Sequence, residues 1–242
     1  MNYIKQKFKN ITGYWIHKAN SLPVGADLFL DIHEKIKYSN LVTVFDVGAN
    51  VGQTFNWVRF NEPKAKIYSF EPVSSSFEIL QKNYSNDALG VLEKLAMGEM
   101  DGEKTIRLFR DQTVLNSLKH ELMNHEADAV TETISVTTLD AYCSINNIHK
   151  IDLLKIDTEG YEFNVLEGAA NLLEKAAISF IYCEVGFMKQ NVRNTYFADL
   201  TEWLAKKNYY FFGLYQMGNY DWKRGNYFGN ALYVYRDIYN PL

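Results

Sequence analysis

The stretch VFDVGANVGQ, residues 44–53, decides the fold that we expect for this chain. It begins as a run of apolar and β-branched residues, which is typical of a buried parallel strand, and it ends in a loop with two glycines. Glycines let a backbone approach a ligand closely, and the free N–H groups of a following helix attract a carboxylate or phosphate. The stretch therefore predicts a ligand-binding strand–loop–helix unit.

The same alternation of short apolar runs and amphipathic segments continues along the chain. We expect further strands at 67–71, 91–96, 151–156 and 178–185, helices at 74–84, 161–175 and 195–207, and closing strands at 209–214 and 231–235. Two segments, 105–109 and 133–139, alternate like strands with one wet face. Strands alternating with helices predict an α/β fold, a doubly wound sheet with helices on both faces.

The ligand is indicated by Glu71 and by the spacing of the glycines. Glu71 ends the second expected strand, where an acid can accept both hydroxyls of a ribose. Dinucleotide folds use G-x-G-x-x-G, whereas this loop has Gly48-x-x-x-Gly52 with Asp46 just before it. S-adenosylmethionine has an amino-acid end instead of a pyrophosphate, and Asp46 can face its ammonium group. The spacing therefore favours S-adenosylmethionine over NAD.

Composition narrows the class of protein. The 242 residues are 47% hydrophobic, enough for one core. A net charge of -4 argues against a nucleic-acid partner, because phosphate backbones need clustered Lys and Arg. Cys143 and Cys183 are expected to be reduced and buried. Because we find no apolar run of membrane-spanning length and no signal core, we expect a cytoplasmic protein.

The first forty residues predict an N-terminal helical extension packed on the core, with the main domain at 41–242. Ile4, Phe8, Ile11 and Trp15 form an apolar stripe with basic residues between them. The favoured interpretation is a helix lying on the domain's own surface. Peripheral contact with a membrane is the alternative.

Three stretches together resemble the FkbM family of S-adenosylmethionine-dependent methyltransferases: VFDVGANVGQ (44–53), IYSFEPVSSSFEIL (67–80) and IDLLKIDTEGYEFNVLEGA (151–169). The resemblance implies a class I methyltransferase domain at 41–242, with a Rossmann-like seven-stranded sheet whose last strand is antiparallel. It also implies O-methylation, typically of a sugar or natural-product hydroxyl. LPVGADLFLDI (22–32) is similar to a leader of members from bacterial glycan loci, so the expected acceptor is a sugar of a surface glycan or glycoconjugate.

The resemblance also assigns site residues by position. Those expected at the methionine end of the cofactor are Asp46, Gly48, Asn50 and Gly52. Glu71 would bind the ribose, and Pro72 would lie beside the adenosine. Ala96 and Met97 would flank the adenine. Ser117 lies where many members carry a Ser-Ser-Leu-like element.

A sugar hydroxyl needs a base to take its proton before methyl transfer. The candidate catalytic acids lie at the ends of two expected strands: Asp157, Glu159 and Glu184. Crowded carboxylates raise one another's pKa, which suits a base working near neutrality. The same acids could instead hold a divalent cation that binds the hydroxyls. For Glu162 we prefer a role at the helix N-terminus, and His120 and His125 are alternative bases.

The chain from Tyr215 to Phe228 is rich in aromatic residues. These residues could stack on sugar rings, or they could form the interface of a homo-oligomer. Rival functions are an NAD-dependent oxidoreductase, a non-catalytic scaffold of methyltransferase fold, and a nucleic-acid methyltransferase. The intact glycine loop with Glu71 counts against the scaffold.

Overall fold

A seven-stranded sheet organises the computed structural model, which describes residues 3–13, 18, 21–108, 130–190, 193–218 and 226–239. Within them the strands are β1 Thr43–Val47, β2 Lys66–Phe70, β3 Gly90–Glu93, β4 Ala96–Met97, β5 Gly102–Leu108, β6 Val130–Thr137, β7 Ile151–Ile156, β8 Ile178–Gly186, β9 Tyr209–Gly218 and β10 Phe228–Tyr235. The α-helices are α1 Tyr3–Thr12, α2 Leu28–Leu30, α3 Gln53–Asn61, α4 Ser74–Tyr84, α5 Leu139–Ile145, α6 Glu162–Glu167, α7 Ala170–Glu174 and α8 Phe197–Ala205.

The sheet has the order β3-β2-β1-β7-β8-β10-β9. Pairs on the β3 side of β8 are parallel, and β10 runs antiparallel to both of its neighbours. The expected doubly wound, seven-stranded sheet with an antiparallel last strand is therefore confirmed. In parallel strands the carboxyl ends share one edge of the sheet, and the crevice outside that edge is where such sheets bind ligands.

Both faces of the sheet are buried, which explains the continuous apolar runs of the central strands. Side chains alternate between faces, so Phe45 and Leu154 belong to one core cluster while Val44 and Leu153 belong to the other. The second cluster also contains Leu28, Phe29, Ile32 and Ile36, from α2 and the π-helical turn Asp31–Lys35 that continues it. This part of the N-terminal extension is integral to the core.

The helix α1 behaves differently from the rest of the extension. Its Phe8 is 38% exposed and its Ile11 is 74% exposed, so these two members of the apolar stripe are not covered by the domain. Trp15 lies outside the described residues. No helix in the described parts of the chain combines the length and apolar character needed to cross a membrane.

The expected third strand, 91–96, and the strand 133–139 were each placed partly wrong. Strand β3 ends at Glu93, and Ala96 pairs instead with Val136 in a separate three-stranded sheet, β4-β6-β5. Strand β6 ends at Thr137 because the hydroxyl of Thr138 accepts a hydrogen bond from the Ala141 N–H and caps α5.

The expected helix 161–175 is divided into α6 and α7 around Gly168 and Ala169. A Cβ on Gly168 would lie 2.0 Å from the carbonyl oxygen of Gly98, so the helix bends where the chain after β4 crosses it. The expectation for the cysteines is confirmed, since Cys143 and Cys183 are both free and buried.

Asp152 fixes the entry of the chain into β1. One of its carboxylate oxygens accepts hydrogen bonds from the N–H groups of Val42 (2.8 Å) and Thr43 (2.9 Å). The other accepts a hydrogen bond of 2.5 Å from the Tyr38 hydroxyl. A side chain on β7 thus satisfies backbone groups just before and at the start of β1.

We predict that Asp152→Ala lowers the free energy of unfolding by about 2–3 kcal/mol, because it leaves three partly buried donors without this acceptor. Asp152→Asn keeps one oxygen acceptor and should cost less. Urea unfolding followed by tryptophan fluorescence measures both values. Equal losses in the two variants would contradict this role for the carboxylate.

Candidate functional site

Two adjoining cavities lie at the carboxyl end of the sheet. The first, here called the apolar cavity, has a volume of about 130 Å³ and includes Val73 and Ile106 in its walls. The second, here called the polar cavity, has a volume of about 290 Å³ and lies beside the start of α3. Both are lined by Gly48, Asn50 and Asp157, which therefore form the boundary between them.

The structure brings most of the expected site residues to the apolar cavity. Those that line it are Gly48, Asn50, Glu71, Pro72, Ala96, Met97, Asp157 and Glu159. Asp46 is fully buried beneath the glycine loop, and it lines neither cavity. Gly52, at the end of the loop, also lines neither cavity. Ser117, His120 and His125 lie outside the described residues.

The glycine loop lies so close to its neighbours that no side chain fits at either of its two glycine positions. Gly48 has φ +78°, and a Cβ there would lie 1.9 Å from the carbonyl oxygen of Asp157. Gly52 has φ +98°, and a Cβ there would lie 2.2 Å from the Tyr84 ring. The Gly48 and Ala49 N–H groups both donate to the carbonyl oxygen of Phe70, at 3.1 and 3.0 Å. These contacts fix the loop against β2 and the chain after β7.

Glu71 is held at the rim of the apolar cavity by two backbone donors. Its carboxylate accepts hydrogen bonds of 2.9 Å from the N–H groups of Asn50 and Val73. Burial raises the pKa of Glu71 to about 7, although these hydrogen bonds lower it. Each oxygen has one lone pair beyond the one that these bonds use, as binding of two adjacent hydroxyls requires.

The lining of the apolar cavity has the chemistry that the nucleoside part of S-adenosylmethionine requires. Val73, Ala96 and Met97 supply apolar walls for a flat base. The side-chain oxygen of Asn50 is buried and has no hydrogen-bond partner among the described residues. A buried acceptor of this kind is expected to be satisfied by a ligand donor or by water.

Lys155 is the site residue that the sequence reasoning missed. Its ammonium group lies 3.0 Å from an Asp46 oxygen and 3.6 Å from an Asp157 oxygen, and it donates to the Gly48 carbonyl oxygen at 3.1 Å. Only 8% of the side chain is exposed. The signal was a single lysine inside the apolar run IDLLKI, since a buried charge needs a charged partner.

Lys155 and the carboxylates of Asp46 and Asp157 stabilise one another's charged forms. Burial by itself lowers the pKa of Lys155, but the carboxylates of Asp46 and Asp157 raise it well above its usual value. Burial raises the pKa of Asp46, and the charge of Lys155 opposes this rise. The lysine therefore stays protonated and joins β1, the glycine loop and the end of β7.

The three predicted catalytic acids converge at the end of β7 and β8. Asp157 follows β7, Glu184 lies in β8, and Glu159 occupies a left-handed conformation with φ +53°. One carboxylate oxygen from each lies within 4.8 Å of the other two. Parallel register explains part of this, because Ile156 pairs with Cys183 and the next residues follow side by side.

Crowding perturbs the protonation of this cluster. Burial first, and then the nearby charge of Asp157, raise the pKa of Glu159 to about 8 and that of Glu184 to about 9. Glu184 also accepts a hydrogen bond of 2.6 Å from the Asn194 side chain. The cluster can therefore take up or release a proton close to neutral pH.

Glu162 has the structural role that we expected. It is completely buried, and its carboxylate accepts hydrogen bonds from the N–H groups of Thr158 and Gly160 and from the Thr195 hydroxyl, at 3.1, 3.0 and 2.5 Å. These bonds hold the loop before α6. Glu162 lines neither of the two cavities.

Tyr215, the first residue of the aromatic segment, is available neither for stacking on sugar rings nor for an oligomer interface. Tyr215 is only 3% exposed and its hydroxyl donates to Asp31 at 2.7 Å, so it belongs to the core. Tyr227 and Phe228 pack edge to face, with ring centroids 5.2 Å apart. The aromatic residues Tyr220 and Trp222 lie outside the described residues.

Comparison with known proteins finds a methyltransferase family model and several related methyltransferases. A family model described as the methyltransferase FkbM domain matches residues 46–211. Hexuronic acid methyltransferase AglP of Haloferax volcanii is 28% identical, over 59% of this chain and 55% of that protein. Methyltransferase sdnD of Sordaria araneosa is 26% identical, over 52% of this chain and 59% of that protein.

A third relative is 31-O-demethyl-FK506 methyltransferase FkbM of Streptomyces tacrolimicus. It is 25% identical, over 52% of this chain and 58% of that protein. The matches thus span between half and three fifths of the length of these relatives.

We predict that Lys155→Met lowers the free energy of unfolding by about 3–5 kcal/mol, because it leaves Asp46 buried without its counter-ion. The double variant Asp46→Asn/Lys155→Met should lose less than the sum of the single losses. Urea unfolding of all variants measures this coupling.

Lys94→Met is the matched control for a surface pair, since Lys94 is 47% exposed and lies 3.5 Å from Glu132. It should cost less than about 1 kcal/mol. If Lys155→Met cost no more than this control, the buried ion pair would not have the importance assigned to it here.

We predict that Glu184→Gln makes stability less dependent on pH. The ordinary pKa of 4.5 rises to about 9 in the folded protein, so the folded state binds the extra proton. That contribution to stability is complete below about pH 4.5 and is lost as the pH rises to about 9. Unfolding free energies between pH 5 and 9 should fall more steeply for the wild type than for the variant. Parallel curves would contradict the raised pKa.

Proposed function

The chain belongs to the FkbM methyltransferase family, and from this premise we propose that it is an S-adenosylmethionine-dependent O-methyltransferase acting on a sugar hydroxyl. The observation that carries the proposal is the position of Asp157. This acid borders both cavities and belongs to the cluster with Glu159 and Glu184. A carboxylate able to accept a proton thus lies where the apolar cavity, which we assign to the methyl donor, meets the polar cavity.

The residues of the apolar cavity would hold the methyl donor. Glu71 would accept the ribose hydroxyls, and Ala96 and Met97 would enclose the adenine. Gly48 and Asn50 would contact the remainder of the cofactor, with Asp46 fixing the loop from below through Lys155. When bound, S-adenosylmethionine supplies an electrophilic methyl group on a sulfonium.

The acid cluster would take the proton of the acceptor hydroxyl. Positioning supplies much of the rate in a displacement of this kind, and a base within hydrogen-bond reach increases it further. Asp157 is the member that reaches both cavities, and Glu159 lines the apolar one. The raised pKa values of Glu159 and Glu184 let these two residues exchange a proton near neutral pH.

A sugar acceptor is supported by two separate features. One is the likeness to a protein named hexuronic acid methyltransferase. The other is the short segment 22–32, which resembles the leader of members from bacterial glycan loci. The net charge of -4 agrees with an acceptor other than nucleic acid.

A cation-assisted form of the reaction is the second candidate, because the three acids offer oxygen ligands within 4.8 Å of one another. A divalent ion there would lower the pKa of a bound hydroxyl. Calorimetric titration with magnesium chloride distinguishes the two forms. Binding that Glu184→Gln abolishes would favour the cation, and absence of binding would favour the carboxylate base.

We predict that the purified protein binds S-adenosylhomocysteine with micromolar affinity in calorimetry. Glu71→Ala should weaken this binding at least about tenfold, because it removes a charged acceptor. Glu78→Ala, an exposed acid on α4, is the matched control and should bind like the wild type. Circular dichroism checks that each variant is folded.

A folded wild type that fails to bind S-adenosylhomocysteine would contradict the proposal. The same protein would then be titrated with NADH by fluorescence. NADH binding would support the oxidoreductase alternative, and no binding of either compound would support a non-catalytic scaffold.

A further inference from the structure

The polar cavity has a wall that the cofactor assignment does not use. This wall includes Gln216 on β9 and Asn230 on β10, whose side chains are 3.4 Å apart. Trp57 on α3 also lines the polar cavity. Asn230 pairs in register with Glu184, so this wall continues directly from the acid cluster.

Tyr182 supplies the polar cavity with a buried hydroxyl that the described part of the protein leaves unsatisfied. The residue is 2% exposed and lines the cavity, yet its hydroxyl has no hydrogen-bond partner among the described residues. Its ring is held 6.0 Å from Trp57, which itself packs on Phe29 at 4.8 Å. A buried, unsatisfied hydroxyl on a fixed ring costs free energy unless a ligand group or water completes it.

The wall chemistry narrows the class of ligand. Carboxamides and hydroxyls both donate and accept, which matches the hydroxyls of a carbohydrate. The indole of Trp57 offers an apolar surface for the C–H face of a ring. A cavity of about 290 Å³ is close to the lower end of small-molecule sites and suits a single ring.

Charge narrows the class further. Lys155 is the cation in the described wall of the polar cavity, and it is already paired with Asp46 and Asp157. These three groups together carry one net negative charge when ionised. A carboxylate on the ligand would therefore meet repulsion from Asp157 without a free cation in this wall to offset it.

We propose that the polar cavity is the acceptor subsite and that it takes a neutral pyranose ring, with Tyr182, Gln216 and Asn230 binding ring hydroxyls. The proposal rests on the proposed function, since it places the acceptor beside the methyl-donor cavity. It assigns to this chain a preference for a neutral sugar over a uronate.

Saturation-transfer NMR with three probes tests the proposal: methyl β-D-glucopyranoside, methyl α-L-rhamnopyranoside and methyl β-D-glucuronide. We expect the full chain, with S-adenosylhomocysteine added, to bind at least one neutral glycoside more tightly than the glucuronide. Tyr182→Phe removes one hydroxyl and keeps the ring, and Asn230→Leu removes the amide at similar volume. Each should weaken glycoside binding about tenfold, while S-adenosylhomocysteine affinity stays within about twofold of the wild type.

Two controls separate a binding role from a structural one. Tyr182→Phe should leave thermal stability unchanged or raised, because it removes an unsatisfied hydroxyl. Gln81→Leu, an exposed carboxamide on α4, should leave glycoside binding unchanged.

The proposal is overturned if S-adenosylhomocysteine binds but no neutral glycoside does, if the glucuronide is preferred, or if both cavity variants bind glycosides like the wild type. Failure of the folded wild type to bind S-adenosylhomocysteine is a different result. It would refute the proposed function itself, and this subsite with it.

Discussion

The buried ion pair between Lys155 and Asp46 is the interaction on which the site depends. Two charges removed from water are costly unless each is paired and hydrogen-bonded. Here the ammonium group also donates to the Gly48 carbonyl oxygen, so the energetic need to satisfy one lysine fixes the glycine loop. The loop in turn presents Asn50 to both cavities.

The same lysine moderates a concentration of negative charge. The carboxylates of Asp157, Glu159 and Glu184 lie close together, and crowding with burial raises the pKa of two of them. The charge of Lys155 opposes the rise in pKa of Glu184, and it also opposes the rise that burial causes at Glu71. An arrangement that costs stability in this way is typical of a functional site.

Sheet topology explains why two cavities meet at this point. The glycine loop and Glu71 follow β1 and β2, the acids follow β7 and lie in β8, and the carboxamides come from the antiparallel pair β9 and β10. The central position of β1 and β7 places Asp157 between the apolar cavity and the polar one. The residues of the candidate site are therefore brought together by strand order.

The sequence by itself determined the strand–loop–helix unit at 44–53, the alternation that gives a doubly wound sheet, and the acids at the strand ends. Those features depend on short-range constraints, namely side-chain periodicity, glycine geometry and the chain order of elements. It could not place the break at Gly168 or the passage of Ala96 into a second sheet, because contacts with Gly98 and Val136 decide them. Only the tertiary structure decided that Lys155, 107 positions from Gly48, would hold the loop, and that Tyr182 and Asn230 would share a cavity. The physical reason is that such pairings are set by strand register and burial across the whole sheet, which no local stretch of sequence contains.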